Sequence, residues 1–259
     1  MMLRSNPFSF YYVVAMTNLY IHLSGTLHSL ITLTAKGYVH HVTGVVKPEK
    51  VEALAARFEE LYDTELSRFQ RARRKKAGKC NVRFIIHPRY TTPDFQWWLL
   101  ATDGEGLFHE REKTKDSTKK RGRLTAFSQY QAVMQPAKGS IPRWTWRLDA
   151  ESFANWKARI QASIRNRSDE KDIKRIMREL HSLPGFRGVR GQVAELRKFT
   201  GAEWRRITAQ NSCPHIPKKV QPYLRYKSYG QVPAELVVAR LKAGKSPYAI
   251  KWKTENKYE

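Results

Sequence analysis

The chain changes character at Asp149. Before it, β-branched and aromatic residues alternate in short runs; after it, apolar residues recur at three- and four-residue spacing between lysines and arginines. This switch predicts an α+β protein: a mainly antiparallel sheet with one long amphipathic helix in the N-terminal part, followed by a basic helical region. The expected organisation is an extension at residues 1–15, a strand-rich domain at 16–148, and a basic helical, nucleic-acid-binding region with a C-terminal tail at 149–259.

Charge follows the same division. Residues 1–105 hold 14 basic and 9 acidic side chains, residues 106–259 hold 34 and 14, and the formal total is +25. An imbalance this large concerns partners first, and the fitting partner is a polyanion. Nucleic acid fits better than a membrane surface, because tyrosine and tryptophan are interleaved with the arginines and do not form one apolar face. With 41% hydrophobic and 12% aromatic residues, the chain can build one sizeable core and a second small domain. Two cysteines, Cys80 and Cys213, allow neither a disulfide framework nor a four-cysteine zinc site, and suggest a reducing, cytoplasmic setting.

Phe8 to Met16 is apolar and follows Arg4, yet no small-residue cleavage site follows it, and Asn18 and His22 interrupt the run short of a membrane-spanning length. No membrane insertion is expected. Leu19 to Ile21 read as strand. Leu27–Thr34 and Tyr38–Val46 flank Lys36-Gly37 and predict a hairpin. Pro48 opens a helix whose stripe runs Val51, Leu54, Ala55, Phe58, Leu61, Tyr62, Leu66 and Phe69 until Gly78. Its end carries more cations than capping requires, with Arg71, Arg74 and Lys75 as candidate phosphate contacts. Asn81–His87 and Phe95–Thr102 are the next strands. Residues 109–122 contain no large aliphatic side chain and are expected to form a mobile loop. Leu124–Met134 and Arg143–Leu148 complete the sheet.

In the second part Asp149 is a helix N-cap, and Ser168 precedes another helix. Their outer faces supply Arg165, Arg167, Lys174, Arg175 and Arg178. A third helix runs from Val189 to Phe199. Thr200-Gly201-Ala202-Glu203 reads as a capping box opening a fourth, which would set Arg205 and Arg206 on the second element of a helix-turn-helix. In the segment from Gln221 to Gly230, Tyr223, Tyr226 and Tyr229 alternate with Arg225 and Lys227, offering rings for bases beside cations for phosphates. A last short helix follows Pro233.

Catalytic signatures are sparse. His40 and His41 are adjacent on a strand and point to opposite faces, so they cannot chelate one metal together. Asp103 and Glu105 sit in a turn, Asp169, Glu170 and Asp172 suit a helix first turn, and no glycine-rich phosphate loop occurs. Cys213-Pro214-His215 falls short of a zinc site. No metal or cofactor is expected. The sequence therefore reads as a nucleic-acid-binding accessory protein, a subunit of a DNA- or RNA-processing assembly alongside other proteins. The competing readings are a metal-independent nuclease using histidine, tyrosine and lysine (His22, His28, His40, His41 and His87 lie in the strand-rich part, with Tyr90 near His87), and a basic protein of ribosome or membrane surfaces.

Overall fold

The computed structural model describes residues 19–89, 92–137, 140–166, 170–218, 221–223 and 231–249. The first residues of this stretch, β1 (Leu19–Tyr20), pair antiparallel with a strand near the other end, β9 (Gln231–Val232). The extension expected at residues 1–15 lies outside the described residues.

The expected hairpin is instead a helix followed by a strand. Helix α1 (Leu23–Ala35) buries Thr26, Leu27, Leu30, Ile31 and Thr34, a three- and four-residue spacing that a strand could not bury on one side. Lys36-Gly37 ends this helix and makes no strand turn: Tyr38 N–H donates to Leu33 O at 3.1 Å and Gly37 N–H to Thr34 O at 3.1 Å, with Gly37 at φ +94°. That is a Schellman cap, which favours a residue without a Cβ at the left-handed position. Local β-branching (Ile31, Thr32, Thr34) was overridden by burial around the helix.

After β2 (His40–Val46), the expected long helix is broken in two. Helix α2 (Val51–Tyr62) buries Val51, Ala55, Phe58 and Tyr62, then stops at Asp63, which is left-handed at φ +51°. Ser67 starts α3 (Arg68–Lys76) through a reciprocal capping box with Gln70. Phe69 is 79% exposed, so it does not extend the buried stripe.

Strands β3 (Val82–Pro88) and β4 (Phe95–Ala101) form the expected antiparallel pair, with Phe84 opposite Leu99. Together with β2 and β5 (Lys115–Asp116) they make a four-stranded sheet in the order β3-β4-β2-β5. Alternation along β4 divides the molecule's apolar interior. Phe95, Trp97, Leu99 and Ala101 join a core with α2, Val232 and the last helix, α8 (Ala234–Lys242); Trp98 and Leu100 face a second core.

The stretch 109–122 is structured, which corrects the expected mobile loop. A short helix α4 (Leu107–Arg111) buries Phe108, β5 pairs with β2, and Gly122 packs where a Cβ would meet Asp116 O at 2.3 Å. Hydrogen bonds replace aliphatic burial here: Tyr62 Oη donates to Glu112 Oε1 at 2.6 Å, and buried Ser117 Oγ lies 3.1 Å from His41 Nδ1.

A three-stranded sheet follows, β6 (Thr125–Ala126), β7 (Tyr130–Ala137) and β8 (Ser140–Leu148), in that order. Two indoles tie it in: Trp98 Nε1 donates to Thr125 O at 2.9 Å, and Trp146 Nε1 to Leu27 O at 2.7 Å. Helices α5 (Ala150–Arg165), α6 (Glu170–Ser182) and α7 (Arg187–Thr208) pack on this side, and Asp149 caps α5 by accepting from Ser152 N–H at 2.7 Å. Apolar packing is continuous across Asp149, since Leu27, Trp98, Trp146, Ile160, Met177 and Leu196 share one core. The chain then returns, and α8 packs into the other core beside Val51.

The expected helix-turn-helix is absent, because α7 runs unbroken through Thr200–Glu203. Thr200 is buried and its hydroxyl donates to Leu196 O at 2.8 Å, so it bonds back along the helix where a cap would bond forward. Trp204 is buried one turn later. Among the described residues no helix is long and apolar enough to cross a membrane.

Candidate nucleic-acid interface

Helix α3 carries Arg68, Arg71, Arg73, Arg74, Lys75 and Lys76 in nine residues and buries none of its side chains. Its candidates separate into two sets. Arg71 donates to Leu66 O just ahead of the helix, and Arg74 bonds Cys80 O and the Asp63 carboxylate, so both guanidiniums are engaged and Arg74 holds the helix against the body of the protein. Lys75 is exposed, as are Arg68, Phe69, Arg73 and Lys76. The result is a cationic ridge with one bare aromatic ring.

On the helical side, Arg165, Lys174, Arg178 and Arg205 are exposed. Arg175 bonds both Asp172 and Glu179, and Glu179 also accepts from Arg159 on α5 at 2.6 Å. These pairs fasten α6 to α5 and hold Glu179 below the usual carboxylate range, the Arg159 hydrogen bond being the main cause. Arg206 is paired with Glu203 at 2.6 Å, and Arg165 also acts on that carboxylate, so the ends of α5 and α7 gather Arg165 and Arg206 around one acid. Lys157 sits 4.8 Å from the Phe153 ring centroid and 3.5 Å from Glu195. Arg167, Arg225, Tyr226, Lys227 and Tyr229 lie outside the described residues.

Tyr223 is described, and it marks a site that sequence reasoning missed. The Arg190 guanidinium lies 3.4 Å from the Tyr223 ring centroid, while its Nε donates to Gln221 O at 2.7 Å. Gln221 is itself buried and donates to Leu183 O. Beside the ring opens a cleft of about 560 Å³ between α7 and the outer face of β7 and β8, lined by Arg147, Arg187, Arg190, Gln135, Gly191 and Glu195 among others. Arg187 donates to Pro136 O at 2.8 Å, and Arg147 is exposed on β8. Glu195, the acid of the cleft wall, is engaged by Lys157. Positions 147, 187, 190 and 223 carry no common spacing; the available signal was that Arg187 and Arg190 share a helix face. By contrast, a smaller cleft of about 320 Å³ near Cys80 is lined by Asp63, Glu105 and Glu110 beside Arg74 and Lys79, a mixed charge poorly suited to a polyanion.

The histidines also sort clearly. His87 is buried, with Nδ1 2.9 Å from Tyr20 O and 2.8 Å from Thr26 Oγ1, and burial holds its pKa down at about 3. His41 is likewise buried and held down at about 4. Burial also lowers His28. His40 differs: its Nε2 lies 2.7 Å from Asp103 Oδ1, and its ring meets His109 edge-on at 4.9 Å between centroids. His109 in turn is held by Thr102 O at 2.9 Å. Cys213 and Cys80 are buried thiols with pKa values raised by that burial, and His215 packs on Trp204. Among the described residues no three His, Cys, Asp or Glu side chains are grouped to hold a metal ion.

No known protein family, no curated protein and no solved structure matches the chain.

Proposed function

We propose that this protein binds nucleic acid through phosphate contacts and aromatic stacking, as an accessory subunit of a DNA- or RNA-processing assembly in the cytoplasm. One observation carries the reading. Helix α3 contributes no residue to either core, yet it is a capped helix with six cations and a 79% exposed phenylalanine. Core burial gives such a helix no role, and self-repulsion among its cations, of which Arg74 is paired with Asp63, destabilises it in isolation. A phosphate backbone laid along it would remove that repulsion, and Phe69 could meet an unstacked base. Support for protein neighbours comes from Ile141, 82% exposed on β8, and Met134, exposed across the same hairpin.

Fluorescence anisotropy against salt tests the reading. If about six to ten phosphates are neutralised, affinity falls on the order of a thousandfold or more between about 50 and 200 mM salt. Binding that stays flat across that range would refute it.

A second reading rests on His40. A histidine hydrogen-bonded to Asp103 next to a second imidazole has the makings of an acid–base pair for metal-independent phosphodiester cleavage. Incubating labelled RNA with the protein and with His40→Ala separates the cases: cleavage by wild type that the variant loses favours the enzyme, and intact RNA in both removes it.

A further inference from the structure

We infer that the cleft between α7 and the outer face of β7 and β8 is a seat for a nucleotide unit of a single strand, with its base on Tyr223 and its flanking phosphates on Arg147 and Arg187. The inference rests on the nucleic-acid reading above and gives it a second, more specific site.

Three features converge. The first is the ring. Tyr223 is 64% exposed although one of its faces is already taken by Arg190. The guanidinium, itself fixed by Gln221 O, orients the phenol, and the exposed part of the ring is the surface offered to a planar partner. The second is charge. Three guanidiniums line one cleft of about 560 Å³, within the range that takes one or two nucleotide-sized groups, and the fork of each guanidinium matches phosphate oxygens. Arg187 spends a donor on Pro136 O and Arg190 spends its Nε on Gln221 O, which fixes both side chains while leaving further N–H groups for a ligand.

The third feature is Gly191. It lies in the second turn of α7, lines the cleft, and has nothing outside its own stretch of helix within 4 Å of where a Cβ would stand. Gly188, one turn earlier, is different: its Cβ would meet Trp146 O at 2.4 Å, so strand packing demands a glycine there. No internal contact demands one at 191, where glycine weakens the helix. Its absent side chain keeps that part of the cleft wall clear, letting a ligand approach the helix backbone beside Arg187, Arg190 and Tyr223.

Duplex nucleic acid stacks its bases internally and cannot offer one to a ring at the side of a cleft, so the site selects single strands. The test uses the full chain with fluorescein-labelled (dT)8, (U)8 and a short duplex. Gly191→Leu fills the cleft without changing charge, Arg147→Gln removes an exposed cation, and Tyr223→Ala removes the ring. Each should weaken single-strand binding about tenfold or more while duplex affinity changes less than about twofold for Gly191→Leu and Tyr223→Ala. Melting temperatures should not fall for Gly191→Leu. Single-strand affinities equal to wild type in both Gly191→Leu and Arg147→Gln would overturn the site. Adenosine monophosphate competing as well as the octamers would overturn its assignment to a strand. The double variant Arg73→Glu/Lys76→Glu addresses α3 separately: loss there with intact cleft variants sinks only the cleft, and a wild-type protein that binds none of the three probes sinks both readings.

Discussion

The side-chain amide of Gln192 grips both backbone groups of Leu148: Leu148 N–H donates to Gln192 Oε1 at 2.7 Å, and Gln192 Nε2 donates to Leu148 O at 3.0 Å. Strand β8 is the edge of its sheet, and this amide stands in for the neighbouring strand it lacks. All four atoms belong to buried residues. Together with the Arg187–Pro136 O and Gly188 N–Thr145 Oγ1 bonds, this amide fixes α7 against the β7–β8 hairpin, one wall of the arginine cleft.

Replacing Gln192 by leucine should strip partners from two buried backbone groups. Each orphaned group costs about 1 to 3 kcal/mol, so a loss of about 2 to 6 kcal/mol is expected for the two. Urea unfolding would show this as a lower midpoint at unchanged slope. A midpoint equal to wild type would mean that water or a shifted helix replaces the amide.

Two glycines one turn apart on α7 should respond with opposite sign. Alanine at Gly188 meets a backbone oxygen at 2.4 Å and forces α7 away from β8, which should cost about 1 to 3 kcal/mol. Alanine at Gly191 meets nothing and should gain about 0.5 to 1 kcal/mol from helix propensity. Thermal melts of the two variants side by side check the packing of α7 independently of any binding assay.

Acid sensitivity should come from His41 and His87. Burial holds the two rings neutral in the fold, down at about 4 and about 3; Lys115 and His40 push His41 further down, Asp116 opposes them, and His22 adds to the effect on His87. In the unfolded chain both regain ordinary values near 6.5 and take up protons that the fold excludes. Stability is thus complete above about pH 6.5 and declines as pH falls towards the folded values, by about 1.4 kcal/mol per pH unit for each ring. Urea titrations at several pH values between 7.5 and 5 should reveal this slope, and His87→Gln should remove about half of it. A variant slope matching wild type would assign the acid sensitivity elsewhere.

Where one residue's neighbours in sequence are also its neighbours in space, the chain is readable. Val82, Phe84 and Ile86 alternate into one core as their spacing implies, and Asp149 caps the helix it precedes. Reading fails where distant partners decide. The segment Leu27–Thr34 looks like strand until Trp146 and Trp98 are known to close around it, because a helix packed among them and a buried strand share the same apolar content. Thr200 looks like a cap until the burial of Trp204 commits the helix to continue. The cleft was least legible, since Arg147, Arg187, Arg190 and Tyr223 come together only when α7 lies against the outer face of β8. Charge could not say which arginines are occupied holding helices together, as Arg175 is.

The adjacent residues Arg74 and Lys75 should separate structure from binding on α3. Arg74 is committed to Asp63 and to Cys80 O, and its neighbour is exposed. Arg74→Gln should therefore cost about 1 kcal/mol of stability, reduced from the buried-pair range because Asp63 faces solvent, and change affinity little while the protein stays folded. Lys75→Gln should leave the melt unchanged and make the slope of log affinity against log salt shallower by about 0.7 to 0.9, the counterion equivalent of one phosphate. Measuring both variants for melting and for salt-dependent anisotropy gives a two-by-two outcome. If Lys75→Gln leaves the slope at its wild-type value, Lys75 makes no phosphate contact; if Arg74→Gln alone flattens it, the inward-turned arginine swings out to bind, and the ion pair with Asp63 is released on the way.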